Sequence, residues 1–320
     1  MKMQSRSRGL RELCRLLGHT PQAYYQYQKL SANRTLKEDL VIGQVLLHRI
    51  PQPRVGGLKL HEMLGPFLDD HGIKMGRDLL FDLLRENDLR IGKRRRRQPR
   101  TTDSSHWLRK YPDLIRGIEL RRADELWVSD ITYIHLIKNE FAYLSLITDA
   151  YSRKIVGFCM NHDLSAQGPV DALKMALKGR TGDEPLIHHS DRGAQYCSDA
   201  YVTLLQGESI GISMTQSGNP RDNAIAERVN GILKQELLEE VYPNIKQARQ
   251  AIVIATDIYN RVRPHSSVDM MTPEKAHIQT GGISRRWKSV FKRAMDKQVT
   301  GNINPASIEQ QLSFGQKQEV

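Results

Sequence analysis

The spacing of apolar residues divides the chain into a helical front and a β-rich middle. In the front, apolar residues recur every three to four positions, which is the period of an amphipathic helix. The helical stretches lie at residues 10–29, 59–68 and 77–87, and helical structure is expected to resume at about residue 36. Breaks that contain glycine or proline lie at residues 18–21, 51–57 and 71–76. The pattern predicts an all-α region of two helix-turn-helix-like segments, residues 1–50 and 51–92. Both a DNA-docking module and a bundle that only packs fit it.

β-branched and aromatic residues dominate from about residue 124 onwards. Three runs, in ELWVSDITYIHL, FAYLSLITDAYS and KIVGFCMNHD, are separated by short polar turns and predict an antiparallel meander. Two further short strands, in PLIHHSD and GISMTQS, alternate with helical stretches. This order predicts an α/β fold in which helices flank a mixed five-stranded sheet. We expect this core, with the helices that follow it, at residues 124–280, and a polar, loosely held tail at residues 281–320.

Positive charge is concentrated at one end of the chain. The formal net charge is +12, and residues 1–100 hold 21 Lys and Arg against 10 Asp and Glu, a difference of +11. The segment KRRRRQPR contains four consecutive arginines, Arg94, Arg95, Arg96 and Arg97. It predicts a basic linker over residues 93–123 that can lie along a phosphate backbone, because cations that neutralise phosphates release counterions. DNA binding is therefore expected, and a basic surface kept for solubility is the alternative.

Apolar runs and cysteines argue against two classes of protein. No run of about 18 or more apolar residues is present, and the basic N-terminus has no continuous apolar stretch that resembles a secretion signal. The sequence therefore predicts a cytoplasmic protein with no membrane partner. Three cysteines, Cys14, Cys159 and Cys197, are widely separated and match neither a zinc site nor a disulfide framework. We expect them to be small buried or half-buried hydrophobic residues.

Three acidic residues stand in positions from which they can converge. Asp130 lies inside the first predicted strand, where a carboxylate is unfavourable unless it has a partner such as a cation. Asp191 follows the fourth strand, at the end where open sheets usually bind ligands. Glu227 lies on the next long predicted helix, opposite the apolar stripe of that helix. Hard divalent cations select carboxylates, and paired Mg²⁺ ions cut and join phosphodiesters. We therefore predict that these three residues are metal ligands and catalytic.

The same helix carries other polar positions of interest. Lys234 is seven residues after Glu227 and therefore lies about 20° from it around an α-helix. Gly231, near that face, leaves room for a nucleic-acid backbone to approach. The face is thus suited to a metal at one end and a phosphate at the other. Asn223, at the start of the helix, is a candidate DNA contact, and its alternative role is to cap the helix.

Other polar residues near the strand ends have structural explanations. Asp149, in LITDAYSRK, is expected to form a turn that supports the fold. His188 and His189 adjoin Asp191 and can support a metal site. We expect them instead to be buried, hydrogen-bonded histidines.

The motifs around these residues resemble those of a known family. WVSDITY, HHSDRGAQY and DNAIAERVNGILKQE follow one another in order, 35 residues separate Asp191 from Glu227, and YNRVRPHSSVDMMTPEKAH follows downstream. Together they resemble the catalytic, second-frame subunit of bacterial insertion-sequence-three transposases, which are relatives of retroviral integrases. The resemblance covers about residues 124–280. It implies an RNase H-like core, a catalytic triad of Asp130, Asp191 and Glu227, and a contact between Lys234 and the terminal DNA of the element.

The resemblance also implies cofactors and partners. Two Mg²⁺ ions, replaceable by Mn²⁺, are expected at the triad. The expected partners are the terminal repeats of the element, the target DNA, further copies of the chain on DNA, and a first-frame subunit or fusion with a helix-turn-helix and a leucine zipper. When bound to DNA the protein is expected at the nucleoid. Residues 53–92 resemble the family's upstream helix-turn-helix, but VGGLKLH replaces its usual tyrosine-glycine-tyrosine-arginine opening.

These expectations describe a transposase that cleaves and joins DNA strands when an insertion sequence moves. One alternative is a catalytically silent DNA-binding regulator that occupies the ends of the element. Another is an RNase H-type nuclease, which accounts for the core but not for Lys234 or the basic helical front. Mg²⁺-dependent joining of a labelled DNA end to a plasmid distinguishes the three.

Overall fold

A computed structural model describes residues 9–92, 106–216 and 223–284. The four arginines at residues 94–97 and residues 285–320 of the predicted tail lie outside the described residues.

The front of the chain is helical, as predicted. Its helices are α1 (Leu10–Leu16), α2 (Pro21–Arg49), α3 (Gly57–Asp70) and α4 (Arg77–Glu86). Thr20 caps α2 by accepting a hydrogen bond from the backbone N–H of Ala23. The expected interruption between residues 29 and 36 is wrong, because α2 is continuous there. That stretch contains no glycine or proline, so its polar residues leave the helix intact while remaining exposed.

The second half of α2 shares an apolar core with α3 and α4. Val41 and Val45 of α2 pack with leucines of both later helices, and all are buried. The two predicted segments of the front are therefore joined by a common core, and α2 ends at Arg49, next to their predicted boundary.

The middle of the chain forms the predicted mixed sheet. Its strands are β1 (Leu126–His135), β2 (Phe141–Asp149), β3 (Ile155–Asn161), β4 (Ile187–Ser190) and β5 (Gly211–Met214). Their spatial order is β3-β2-β1-β4-β5. β1, β2 and β3 form an antiparallel meander, and β4 and β5 extend the sheet as parallel strands from β1. The strand pairing thus confirms the topology expected from the alternating pattern.

Helices cover both faces of the sheet. They are α5 (Gln167–Gly179), α6 (Asp199–Gly207), α7 (Ala224–Ile232), α8 (Ile245–Arg261) and α9 (Pro273–His277). α5 and α6 pack on the face that carries Trp127 and Ile147, and α7 and α8 pack on the face that carries Leu144 and Leu146. α5 lies so close to β3 that a Cβ at Gly157 would clash with the backbone oxygen of Ala172.

The helix that carries Glu227 changes its geometry after two turns. The predicted single helix is α-helical through Ile232 and continues as a π-helix over Leu233–Leu237. The backbone N–H of Leu238 donates to the carbonyl of Leu233, five residues earlier. Both leucines are buried in the same cluster, and a five-residue repeat lies about 140° apart around an α-helix. The wider π turn allows both side chains to reach that core.

Part of the predicted linker packs on the core. The backbone N–H of Met214 donates to the carbonyl of Pro112, and the backbone N–H of Leu114 donates to Ser213 Oγ. Residues 112–114 thus run beside β5.

Two other expectations can be compared with the described residues. Within those ranges, none of the helices combines the length and the apolar character needed to cross a membrane. Cys14 and Cys197 are buried and Cys159 is half-buried, and all three are free thiols, as predicted.

Candidate active site

Asp130 and Asp191 lie on neighbouring parallel strands. The register pairs Val128 of β1 with His189 of β4. This is the last pair of the ladder, and Asp130 and Asp191 each follow it by two residues, near enough for the charge of Asp191 to raise the pKa of Asp130. Asp191 directly follows β4, and its Oδ1 accepts a hydrogen bond from the backbone N–H of Gly193 at 3.0 Å. The two carboxylates therefore share the carboxyl end of β4, where strand order brings β1 and β4 together.

Helix α7 is held against β1 by contacts that run along one side of the helix. Asn223 Nδ2 donates to the backbone oxygen of Ser129 at 2.7 Å, and Ala226 packs in a cluster with Val128. One turn later, Asn230 Nδ2 donates to Asp130 Oδ2 at 2.7 Å. These contacts fix the rotation of α7 about its own axis, so the helix faces the first aspartate in a defined way.

Asn230 was not predicted from the sequence. It is buried, and its Oδ1 makes no hydrogen bond within the described part of the chain. A buried amide that binds the carboxylate through one atom and leaves an oxygen unused suits a place beside a cation or an ordered water. The signal for it in the sequence is a position three residues after Glu227, which places both on adjacent turns of one helix.

Glu227 lies one turn before Asn230 on α7, with an exposed side chain. Burial, with the negative charges of Asp191 and Glu227, raises the pKa of Asp130 to about 7, although the hydrogen bond from Asn230 acts to lower it. The three acidic residues predicted from the sequence are thus close enough to interact electrostatically. Asp130 carries an uncompensated charge that a cation would stabilise.

The three carboxylates do not form a closed ligand set. Among residues 9–92, 106–216 and 223–284, no group of three or more His, Cys, Asp or Glu side chains stands ready to hold a metal ion. Asp130 and Asp191 come from adjacent strands, whereas Glu227 is exposed on the helix that packs over them. The oxygen-only donors fit a hard divalent cation.

The neighbouring histidines are structural, as expected. His188 Nε2 is hydrogen-bonded to Ser129 Oγ at 2.6 Å and to the Tyr201 hydroxyl at 2.8 Å. Burial lowers the pKa of His188 to about 3, so its ring is neutral at pH 7. His189 Nδ1 lies 2.8 Å from Ser213 Oγ. These bonds connect β4 to its neighbours beneath the aspartates.

Asp149 is the turn former that the sequence predicted. It is fully buried at the end of β2 and accepts hydrogen bonds from the backbone and the hydroxyl of Ser152 and from the backbone of Asp124. All of these contacts stabilise loops beside the sheet.

The predicted DNA contacts occupy different surroundings. Lys234 lies in the π-helical segment, and its Nζ is 5.4 Å from the centre of the Tyr133 ring, three residues along β1 from Asp130. Asn223 is buried and hydrogen-bonded to β1, so its described side chain faces the sheet. It does not make the cap bond considered as its alternative role. Arg94, Arg95, Arg96 and Arg97 fall outside the described residues.

Comparisons with known proteins agree with this architecture. Two models of the integrase core domain match residues 121–220 and 208–273. The chain resembles the catalytic core of HTLV-2 integrase solved with magnesium, at 17% identity and a TM-score of 0.38, covering 49% of this chain and 97% of that one. It also resembles a simian T-cell lymphotropic virus intasome in complex with a PP2A regulatory subunit, at 17% identity and a TM-score of 0.41, covering 78% and 79%. The integrase-core matches and the sheet order define an RNase H-like protein of the DDE transposase and integrase class.

Curated relatives specify the family. The chain is 32% identical to the uncharacterized 31 kDa protein of insertion element IS600 from Shigella sonnei, over 83% of this chain and 98% of that protein. It is 31% identical to a putative transposase of IS986/IS6110 from Mycobacterium tuberculosis, over 61% and 73%. It is 35% identical to transposase InsF of IS3A from Escherichia coli, over 48% and 53%. The chain belongs to the insertion-sequence-three family of transposases, which act on DNA with divalent metal ions during insertion-sequence transposition.

Proposed function

We propose that Asp130, Asp191 and Glu227 hold two Mg²⁺ ions, replaceable by Mn²⁺, at which DNA strands are cleaved and joined. When bound, such ions activate the attacking water or DNA 3′-hydroxyl and stabilise the leaving oxygen. The observation that carries the proposal is that Asp130, within β1, lies near Asp191 at the carboxyl end of the adjacent parallel strand β4, and that the charge of Asp191 raises the pKa of Asp130.

The protein's own groups have distinct parts in this proposal. Asp130 and Asp191 supply oxygens from a rigid sheet, so the distance between them is set by the strand register. Asn230 orients the Asp130 carboxylate through its amide hydrogen bond. Glu227 completes the set from α7, on which its side chain is exposed. Helix, strand and turn thus each contribute one acid.

DNA contacts are assigned to positive residues outside the acidic site. Lys234 lies near Tyr133, three residues after Asp130 on β1. This part of β1 is not paired with β4, whose pairing with β1 ends at Val128. We assign Lys234 to a contact with a phosphate of the element's terminal DNA. We assign the arginines at residues 94–97 to sequence-independent contacts with the phosphate backbone.

The proposal extends to organisation and partners. The catalytic core comprises residues 124–280, residues 1–92 form the helical DNA-docking front, residues 93–123 connect the two, and residues 281–320 form a tail. The working assembly contains several copies on the element ends and a first-frame subunit or fusion. It is located at the nucleoid when bound to DNA.

Replacing one aspartate tests the metal site. A labelled element end, identified by sequencing the flanking DNA, is incubated with a plasmid and Mg²⁺, with the first-frame protein included where the family's frame organisation requires it. Asp191→Asn should reduce cleavage and joining at least about 1,000-fold, while binding of the end changes less than about threefold. Asp163→Asn, in an exposed loop, is the matched control and should retain activity.

Each alternative has its own outcome in the same assay. Joining retained by Asp191→Asn contradicts the metal-ligand assignment. End binding by the wild type without any joining favours the silent regulator. Cleavage of an RNA–DNA hybrid without DNA joining favours the nuclease.

A further inference from the structure

The helical front touches the catalytic core at a buried ion pair. Lys59, on α3, places its Nζ 3.0 Å from Glu236 Oε1 and 3.2 Å from Oε2. Only 18% of the lysine side chain and 19% of the glutamate side chain are exposed. Because water is largely excluded from both groups, this contact differs from an ordinary surface salt bridge.

Glu236 also has a partner within the core. Arg263, after α8, donates from Nε to Glu236 Oε2 at 2.8 Å and from Nη2 to Oε1 at 3.0 Å. Its side chain is 2% exposed. Although burial acts to raise the pKa of Glu236, the hydrogen bonds and charges of Arg263 and Lys59 hold it below its usual value. The core therefore satisfies Glu236 with a two-bond arginine pair, and Lys59 adds a link from outside the core.

A second contact joins the same two regions. Arg54, which precedes α3, donates from Nε to the backbone oxygen of Gln235 at 3.0 Å and from Nη2 to the oxygen of Gly92. Arg54 and Lys59 thus reach consecutive residues of the π-helical segment from one end of α3. Two directed contacts at this spacing define the orientation of α3 against the core.

The residues that replace the family's usual motif pack within the front, and one of them contacts the core. A Cβ on Gly57 would come within 2.9 Å of the Phe81 ring, so a tyrosine at this position would require the ring to move. VGGLKLH thus packs under Phe81 and offers Lys59 to the core. The departure from the motif is therefore accompanied by a contact inside the protein.

The contacted segment is continuous with the proposed active site. Residues 233–237 include Lys234, Gln235 and Glu236 and follow directly from α7, which carries Glu227 and Asn230. Lys234 directly precedes the two residues that Arg54 and Lys59 contact. The hydrogen bonds from Arg54 to the backbone of Gln235 and from Lys59 to the side chain of Glu236 therefore constrain the neighbouring Lys234.

We propose that Lys59, with Arg54, is a positioning residue that docks the helical front on residues 233–237 and thereby aligns the Lys234 segment for strand transfer. This inference rests on the proposed function of the acidic site. Docking by the front, which is the expected DNA-binding region, then couples recognition of the element end to alignment of the catalytic helix. Undocking leaves Glu236 paired with Arg263, so the core remains folded in either state.

Three lysine variants test the proposal. Lys59→Met should lower the joining rate at saturating DNA about 10-fold, since small misplacements of substrate-positioning groups are costly, while the half-saturating DNA concentration changes less than about twofold. Lys59→Arg should keep at least about half of the wild-type rate, because it restores a cation for Glu236. Lys178→Met, at an exposed lysine on α5 outside the front, is the matched control and should equal the wild type.

Amide hydrogen exchange gives a readout that does not depend on activity. In Lys59→Met, exchange across residues 233–238 should accelerate about 10-fold while exchange in β1 and β2 stays unchanged. Arg54→Ala should accelerate the same segment without altering the Arg263 pair. Should Lys59→Met fail to fold, Arg54→Ala and Lys59→Arg carry the test.

The outcomes separate this inference from the proposed function. A Lys59→Met variant that needs much more DNA but joins at the wild-type rate would make Lys59 a DNA contact and overturn the inference. Unchanged rates and unchanged exchange would overturn it as well. A wild type that joins no DNA with Mg²⁺ refutes the proposed function, and the exchange measurement then still decides whether the front is docked by Lys59.

Discussion

Asp130 and Glu236 are half-buried carboxylates on either side of one helical stretch, and their surroundings are opposite in charge. Asp130 has two acidic neighbours and an amide, and burial raises its pKa to about 7. Glu236 has two cationic partners that together make four hydrogen bonds to it. A bound cation would offset the repulsion between Asp130 and its acidic neighbours, whereas Lys59 and Arg263 already neutralise Glu236 within the protein. The comparison indicates that the Asp130 carboxylate serves to bind a ligand and that the Glu236 carboxylate stabilises the structure.

The same kind of substitution at the two carboxylates should have opposite effects on stability. Asp130→Asn should abolish joining, at least about 1,000-fold, because a metal ligand is lost. It should also stabilise the metal-free protein by about 1 kcal/mol at pH 8, since a repelled, poorly hydrated charge is removed. Urea unfolding without divalent cations measures this. A metal-free Asp130→Asn protein that is less stable than wild type at pH 8 would contradict the account of Asp130.

Glu236→Gln should destabilise the protein. The change leaves the nearly buried guanidinium of Arg263 without a carboxylate, at a cost of about 3 kcal/mol in the free energy of unfolding. Urea unfolding at pH 7 measures this loss of stability, with Asp130→Asn measured in parallel. A cost near zero would show that Arg263 finds other partners, and the contrast between the two sites would be lost.

Metal-free stability and joining should depend on pH in opposite directions. The folded pKa of Asp130 is raised from 3.8 to about 7, so the folded state binds more protons than the unfolded state between these values. The Asp130 contribution to metal-free stability is therefore greatest below the lower value and decreases as pH rises through the window. Joining should instead rise about tenfold per pH unit below 7 and level off above it, because Mg²⁺ needs the deprotonated carboxylate. Joining that is independent of pH between 5.5 and 7.5 would count against this role.

Asn230→Ala should give the smallest effect. Loss of its hydrogen bond removes an interaction that favours the ionised form, so the pKa of Asp130 and the pH midpoint of joining should both shift upwards. The joining rate at pH 8 should fall about 10-fold, as for other residues that orient a metal ligand. Thr256→Ala, at a buried polar position on α8, serves as the control for a local packing change. A downward shift of the midpoint would contradict the proposed role of Asn230.

Local patterns in the sequence predicted much of the fold and of the acidic site. Runs of β-branched and aromatic residues marked β1, and turn residues separated the meander strands, so the position of Asp130 within a strand followed from neighbouring residues alone. Asp191 was predicted from the strand end that it follows. These features depend on local spacing, and the register of β1 and β4 then placed the two acids side by side.

Contacts between residues that are distant in the sequence could not be predicted from such local patterns. Asn230 reaches Asp130 only because the packing of Ala226 and Asn223 fixes the rotation of α7. Lys59 and Glu236 are 177 positions apart, and neither has a local partner that marks it. The π-helical turn arises because the core needs both Leu233 and Leu238. Each of these depends on tertiary packing, which overrides local preference.

Thermal unfolding with and without divalent cation tests the central assignment most directly. Mg²⁺ or Mn²⁺ at saturating concentration should raise the melting temperature of the wild type by several degrees, about 3–6 °C, because a ligand that binds only the folded state stabilises it. Asp191→Asn should show less than about 1 °C of that shift, and Asp163→Asn should show all of it. An equal shift in wild type and Asp191→Asn would mean that the cation binds elsewhere, and would contradict a shared metal site at Asp130 and Asp191.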